Sequence, residues 1–137
     1  MDLLAPVSTI MTSKLQTVTP KDSLKTVKEI FDKHRIHHVP VVKYKEMVGI
    51  ISKTDFLHFL RGYTNNVTDE FINDSRLNAY HAEDIMTKGL ARVESTDRIN
   101  VVLEVFKENL FHAVPVVDDG ELVGIVTTLD VIKKLSE

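Results

Sequence analysis

One order of chemistry occurs twice, as Gly49-Ile50-Ile51-Ser52-Lys53-Thr54-Asp55 and as Gly124-Ile125-Val126-Thr127-Thr128-Leu129-Asp130. In both, a glycine with β-branched neighbours reads as a strand, and the hydroxyl that follows reads as the start of a helix. Glycine lets another backbone or a ligand come close. The hydroxyl then stands beside free amide hydrogens at the positive end of the helix, and the carboxylate three residues on points the same way. A hydroxyl with amide hydrogens suits a phosphate, and a carboxylate suits the hydroxyls of a ribose, as in dinucleotide-binding folds. Ser-x-x-Asp and Thr-x-x-Asp are also close to the capping box, in which the same two side chains satisfy backbone amides with no ligand present. Spacing alone favours the cap.

Other chemistries fit less well. His34, His37 and His38 are three of six histidines and invite a metal site. Pro40 ends the helical pattern there, adjacent His37 and His38 diverge on an extended chain, and no carboxylate joins them at a ligand spacing, so no metal is expected. There is no Gly-x-Ser-x-Gly, no phosphate-loop lysine and no His-Glu-x-x-His, so we expect a protein that is not an enzyme. The absence of cysteine excludes disulfides and thiolate chemistry and fits a reducing cytoplasm. Seventeen basic against twenty acidic residues leave −3, with no excess to hold nucleic acid or an anionic membrane. No secretory signal or membrane-spanning apolar run is legible. The charge is uneven, +3 over residues 1 to 57 and −5 over residues 82 to 137.

The elements that position these strings come from a repeat. An offset of 75 residues, with no gap, aligns Ile10-Met11-Thr12 with Ile85-Met86-Thr87 and Phe31 with Phe106. It also places His37-His38-Val39-Pro40-Val41-Val42 on His112-Ala113-Val114-Pro115-Val116-Val117, and Asp55 on Asp130. Each copy opens with a short strand, over 15 to 18 and 90 to 93. Asp22 and Asp97 follow as candidate N-caps. Leu24, Val27, Ile30 and Phe31, and their equivalents Ile99, Val102, Val105 and Phe106, recur at helical spacing and mark a buried face. Val39 to Val42 with Met47 to Ile51, and Val114 to Val117 with Leu122 to Val126, read as hairpins. Asp119-Gly120 is a good turn for the second. Lys45 holds the glycine's place in the first, where a positive φ would strain it, so a different turn is expected there.

The fold class is therefore α/β, two β-α-β-β-α repeats over residues 1 to 62 and 82 to 137, joined by a connector over 63 to 81. The segment from 58 to 81 holds Phe59, Leu60, Tyr63, Phe71, Ile72, Leu77 and Tyr80, too apolar for a flexible linker, and is expected to pack. One repeat leaves apolar faces uncovered, so we expect the copies to pair about a pseudo-twofold axis and leave two inter-repeat grooves.

The paired strings, each preceded by His-x-x-Pro-Val-Val and an Ile-Met-Thr opening, resemble the CBS domain repeat, named after cystathionine β-synthase. Two such repeats resemble a Bateman module. The resemblance implies a regulatory module binding adenosine-containing ligands (AMP, ADP, ATP, S-adenosylmethionine or NAD) in its grooves, needing no cofactor, forming homodimers and signalling to a partner in trans. Carried over by position, one groove combines Ile125, Thr127, Leu129 and Asp130 with Gln16, His37 and His38. The other combines Ile50, Ser52, Thr54 and Asp55 with Ala91, His112 and Ala113. Asp would hold ribose hydroxyls, while Ser or Thr and the histidines would face phosphate. The family often has Arg where these histidines stand, which makes phosphate affinity sensitive to pH. One groove has His37 and His38 where the other has His112 and Ala113, so the grooves are expected to be unequal, the Asp130 groove preferring the more phosphorylated ligand. The alternative is an interaction module that dimerises with vestigial grooves.

Overall fold

The structure is a computed structural model and describes residues 1–61, 70–108 and 112–137, with the side chains of residues 70–73 outside that description. It is α/β and contains the repeat twice. The chain forms two compact units, one of residues 1–15 with 89–137 and one of residues 16–88. Their boundaries fall inside the sequence repeats, because each unit takes its opening segment from the other copy.

In the 16–88 unit, helix α1 (Leu24–Lys33) precedes the antiparallel strands β1 (His38–Lys43) and β2 (Glu46–Ser52), α2 (Lys53–Arg61) follows at once, and α3 (Glu70–Ala79) and the short α4 (Ala82–Ile85) come after it. Leu24, Val27 and Phe31, the helical-spacing residues of α1, join Val39, Val41, Ile51 and Phe56 in one core. In the other unit, α5 (Ile99–Glu108), β3 (Ala113–Asp118), β4 (Glu121–Thr127) and α6 (Thr128–Leu135) repeat the order. Val93, Val102, Val114, Val116 and Val126 form that core, closed by Val7 from the chain start. Both hairpins carry one extra residue on the second strand, Val48 and Val123, since Val41 faces Gly49 while Val42 faces Met47, and Val116 faces Gly124 while Val117 faces Leu122. Such bulges sharpen the twist of a two-stranded ribbon.

Three expectations about local structure need correction. The short opening strands shrink to single parallel bridges, Val18 with Val41 and Val93 with Val116, because only one residue of each reaches the hairpin edge. Asp22 and Asp97 do not cap the helices. Their carboxylates turn back to accept the amides of Thr19 and Glu94, at 2.7 and 2.8 Å, and Ser23 is the N-cap of α1, its side chain accepting from the Thr26 amide. The first hairpin turn does not differ from the second. Tyr44 and Lys45 take φ of 52° and 69°, matching Asp119 and Gly120 at 51° and 79°. The right-handed twist of the strands selects this mirror-image turn whether or not a glycine is present. A lysine in that region is strained by about 1 kcal/mol, partly offset by glycine's larger loss of entropy on folding. Lys45→Gly is therefore expected to stabilise the fold by about 0.5 kcal/mol, read as a higher urea midpoint with an unchanged slope.

The connector packs, as its composition predicts. Helix α3 (Glu70–Ala79) places Leu77 in the core at 2% exposure. Phe59 and Tyr80 meet edge to face with ring centroids 5.1 Å apart, and the Arg76 guanidinium lies 5.9 and 6.0 Å from those two rings. Tyr63 and the side chains of Phe71 and Ile72 fall outside the described residues. Among the described residues, no helix is long and apolar enough to cross a membrane.

One contact belongs to the second copy alone. The Ser95 hydroxyl donates to the Asp118 carboxylate, and the Ser95 amide donates to its other oxygen at 2.9 Å. These bonds hold the Asp118 carboxyl below the usual carboxylate range, the hydroxyl contributing most. A carboxylate depressed in the folded state stabilises it above the unfolded pKa and loses that contribution as pH falls through the folded value. Asp118→Asn should lower the melting temperature at pH 7, and the gap to wild type should close below the ordinary carboxylate range.

Candidate functional site

Each repeated string makes a corner where a strand ends and a helix begins. In the first, Ile50 is fully buried, Ser52 ends β2, and the Asp55 amide donates to the Ser52 hydroxyl at 3.0 Å. Among the described residues no amide or hydroxyl donates to the Asp55 carboxylate, and the residue is exposed. In the second corner the bonds run both ways. The Asp130 amide donates to the Thr127 hydroxyl at 3.1 Å, and the Thr127 amide donates to Asp130 Oδ2 at 2.9 Å. Asp130 Oδ1 also accepts a long contact from the Thr12 hydroxyl at 3.4 Å. The capping reading therefore holds in full at Asp130 and in half at Asp55.

The two carboxylates are consequently different tools. Asp130 is half-buried and oriented by its cap, with Oδ1 directed to Thr12, whereas Asp55 stands at the positive end of α2 ready to accept. A hydroxyl, helix-end amides and a carboxylate lie together at both corners, the donor and acceptor set that a phosphorylated ribose would use.

The remaining predicted residues divide between the units. Gln16, His37, His38, Ile50, Ser52, Thr54 and Asp55 lie in the 16–88 unit, and Ala91, His112, Ala113, Ile125, Thr127, Leu129 and Asp130 in the other. Within each unit the His-x-x-Pro segment is registered against its own corner. His38 faces Ser52 across the hairpin and the Lys53 amide donates to the His37 carbonyl at 2.8 Å, while Ala113 faces Thr127 and the Thr128 amide donates to the His112 carbonyl at 3.0 Å. His37, His112, Gln16, Ala91 and Thr54 are exposed, His38 is half-buried, and Ala113 and Ile125 are buried. Leu129 is 45% exposed. Among the described residues, no group of three or more His, Asp or Glu could hold a metal ion.

Both glycines have a use that the sequence reading left open between backbone and ligand. A Cβ at Gly49 would sit 2.5 Å from Met86 Sδ, and one at Gly124 would sit 2.7 Å from Met11 Sδ. What comes close is the Ile-Met-Thr segment. Thr87 exchanges two backbone bonds with Ile50, at 2.8 and 3.0 Å, and Thr12 exchanges two with Ile125, at 2.9 and 3.0 Å. The segment thus covers the open edge of each hairpin beside its corner. Met11, Thr12, Met86 and Thr87 were missed as site-building residues, although Met and Gly keep the same places in both copies.

Comparison with known proteins agrees with this architecture. Protein MJ1225 of Methanocaldococcus jannaschii is 30% identical over 131 residues, which cover 90% of this chain and 44% of that protein. The chain spans less than half the length of curated relatives such as this one. The CBS-pair protein CBSX2 from Arabidopsis thaliana is 27% identical with a TM-score of 0.81, over 96% of this chain and 94% of that one. The CBS domain pair of protein MJ0100, solved in complex with 5′-methylthioadenosine and S-adenosyl-L-methionine, is 25% identical with a TM-score of 0.78, over 97% of both chains. The CBS domain family model matches residues 7–62 and 82–137, the two copies that the 75-residue offset defines, so the chain belongs to the CBS domain family and carries a pair of its repeats.

Proposed function

We propose that this CBS pair is a non-catalytic regulatory module that binds AMP, ADP or ATP at its two strand-to-helix corners and signals to a partner protein in trans. The observation that carries this reading is the Asp55 carboxylate, exposed and with no amide or hydroxyl donor among the described residues, beside the Ser52 hydroxyl at the positive end of α2. A relative of the same pair architecture was solved with two adenosine-containing ligands, which supports the ligand class. In this reading Asp55 takes the ribose hydroxyls, Ser52 and Thr54 face phosphate, and Ala91, His112 and Ala113 complete the site. Asp130 does the same with Thr127, Leu129, Gln16, His37 and His38, using Oδ1 while Oδ2 stays on its cap. A ligand shifts the module only by its differential affinity for two arrangements, so the partner must distinguish the bound form.

Homodimerisation is part of the proposal. Leu129, Ile132 and Leu135 are 45%, 57% and 63% exposed on successive turns of α6, an apolar stripe suited to a second copy. The same stripe favours the alternative, a ligand-free dimerisation module with vestigial grooves.

Thermal melts of wild type, Asp55→Ala and Asp130→Ala with AMP, ADP and ATP decide between them. A nucleotide at a hundred times its Kd should stabilise the wild type by about 2.7 kcal/mol. Asp55→Ala should weaken binding about tenfold and cost less ligand-free stability than Asp130→Ala, since its carboxylate accepts no backbone bond among the described residues and acts only on the positive end of α2. Asp130→Ala should lose affinity and also about 1 kcal/mol of ligand-free stability through its capping box. Unshifted wild-type melts at millimolar concentrations of all three nucleotides would leave the alternative standing.

A further inference from the structure

The two hairpin tips share one backbone and carry opposite charge. Where Gly120 relaxes the second turn, Lys45 keeps a side chain at φ 69°, and Tyr44 beside it sits at φ 52° with 92% of its surface exposed. A strained turn whose side chains add almost nothing to the core points to a role outside the fold. The Lys43 ammonium lies 6.0 Å from the Tyr44 ring. Lys43 and Tyr44 border an open concavity of about 670 Å³ together with Lys21 and Lys88. Two acids face them: Glu83, held by Lys21 at 2.7 Å, and Glu46. Four cations, counting Lys45, thus stand over two acids.

At the 75-residue offset, Glu94, Asp118, Asp119 and Glu121 occupy the places of Thr19, Lys43, Tyr44 and Glu46, while Thr96, Gly120 and Ser13 stand where Lys21, Lys45 and Lys88 do. Glu94, Asp119 and Glu121 are exposed. The second tip is wholly acidic.

We propose that the basic tip at Lys43-Tyr44-Lys45 of one copy docks on the acidic tip at Asp118-Asp119-Glu121 of a second copy. The partner is this same chain because each copy carries both halves of the charge match, mounted on turns of the same geometry. One tip gives while the other receives, so the contact is heterologous and adds copies beyond any dimer built on α6. It is independent of nucleotide binding. Exposed charges attract over about one Debye length, which makes the association dependent on salt.

Sedimentation velocity of the full chain tests this across a concentration series at about 50 mM and about 500 mM salt. Association is expected at low salt and should weaken at least about tenfold at high salt. Lys43→Glu with Lys45→Glu makes both tips acidic, and Glu94→Lys with Asp119→Lys and Glu121→Lys makes both basic. Each variant alone should lose the salt-dependent step, and an equimolar mixture should regain it. Lys45→Gly guards against misfolding, because it relaxes the turn and should raise stability while weakening association about threefold. A wild-type boundary that is identical at both salt concentrations overturns the proposal. So does association of either reversed variant at wild-type strength, or a mixture that stays apart while wild type associates.

Discussion

Removing residues 1–12 is expected to destabilise the 89–137 portion by about 4 kcal/mol or more, a large fraction of the stability of an ordinary domain. The segment is distant in sequence yet supplies the centre of that core. Val7 is fully buried among Val93, Val102, Val114, Val116 and Val126, with Met11 packed against the same group. Losing one buried aliphatic side chain costs about 2 kcal/mol in transfer alone, before the cavity is counted. The backbone adds to this. The amides of Val7 and Ser8 donate to the carbonyls of Asp97 and Ser95 at 2.7 and 3.0 Å, and the amides of Ile99 and Asn100 donate to those of Ala5 and Leu3 at 3.0 Å each. Thr12 and Ile125 exchange two more bonds on the open edge of β4. Hydrogen exchange is the direct readout: the amides of Val114, Val116 and Val126 should lose most of their protection. A synthetic peptide of residues 1–15 should restore it when added in excess. Unchanged protection of β3 and β4 in the shortened chain would show that the opening segment is dispensable.

The second large effect is at Gly49. An added Cβ would meet three atoms of Met86, Sδ at 2.5, Cγ at 2.7 and Cβ at 2.9 Å. The outer atoms of a methionine can swing away, but its Cβ is fixed to the backbone, and the next residue, Thr87, is tied to Ile50 by two hydrogen bonds. Relief requires moving that backbone and stretching the bonds. Gly49→Ala should therefore cost about 2 to 3 kcal/mol, the upper part of the range for overpacked cores, and Gly49→Val more. Gly124→Ala should cost less, about 1 kcal/mol, since the one contact under 3.0 Å is the swingable Met11 Sδ at 2.7 Å, and the Thr12 backbone oxygen, at 3.1 Å, has to give by only a few tenths of an ångström. The partner substitution supplies the control. Met86→Gly removes the atoms in the way, so the double variant Gly49→Ala with Met86→Gly should be more stable than the two single losses added together, a coupling measurable in denaturant. Strict additivity would mean that the close approach has no energetic weight. Either result bears on the candidate site, because Ser52 and Asp55 follow this glycine on the same strand-to-helix corner.

A good part of this protein is written in local sequence. Helical spacing of Leu24, Val27 and Phe31 marks the buried face of α1, and the β-branched runs around Pro40 and Pro115 mark the hairpins, whose strands begin and end within one or two residues of those runs. The Ser-x-x-Asp and Thr-x-x-Asp corners are legible for the same reason, since a strand ending in a hydroxyl with an acid three residues on depends only on near neighbours. Closely matched local choices were harder. Asp22 and Ser23 both suit a helix N-cap, and Asp22 went to the Thr19 amide while Ser23 took the cap. At Tyr44-Lys45 strand twist outweighs the modest strain of two positive φ angles, a balance that residue types alone do not reveal.

Tertiary structure alone decided which segment closes which core. Ile10-Met11-Thr12 and Ile85-Met86-Thr87 are identical, and so are the Val-Gly-Ile edges they cover, so either segment satisfies either hairpin and no local pattern distinguishes the two pairings. The folded chain resolves the tie by exchange, residues 1–15 joining 89–137 while the second Ile-Met-Thr stays with 16–88. Tertiary context also gave two equivalent aspartates different work. Thr127 completes a reciprocal cap that orients Asp130, with Thr12 reaching its second oxygen, whereas the Ser52 corner forms only the amide-to-hydroxyl half and leaves the Asp55 carboxylate open. A repeat fixes what each residue can bond to, and the path of the chain through space settles which bond it makes.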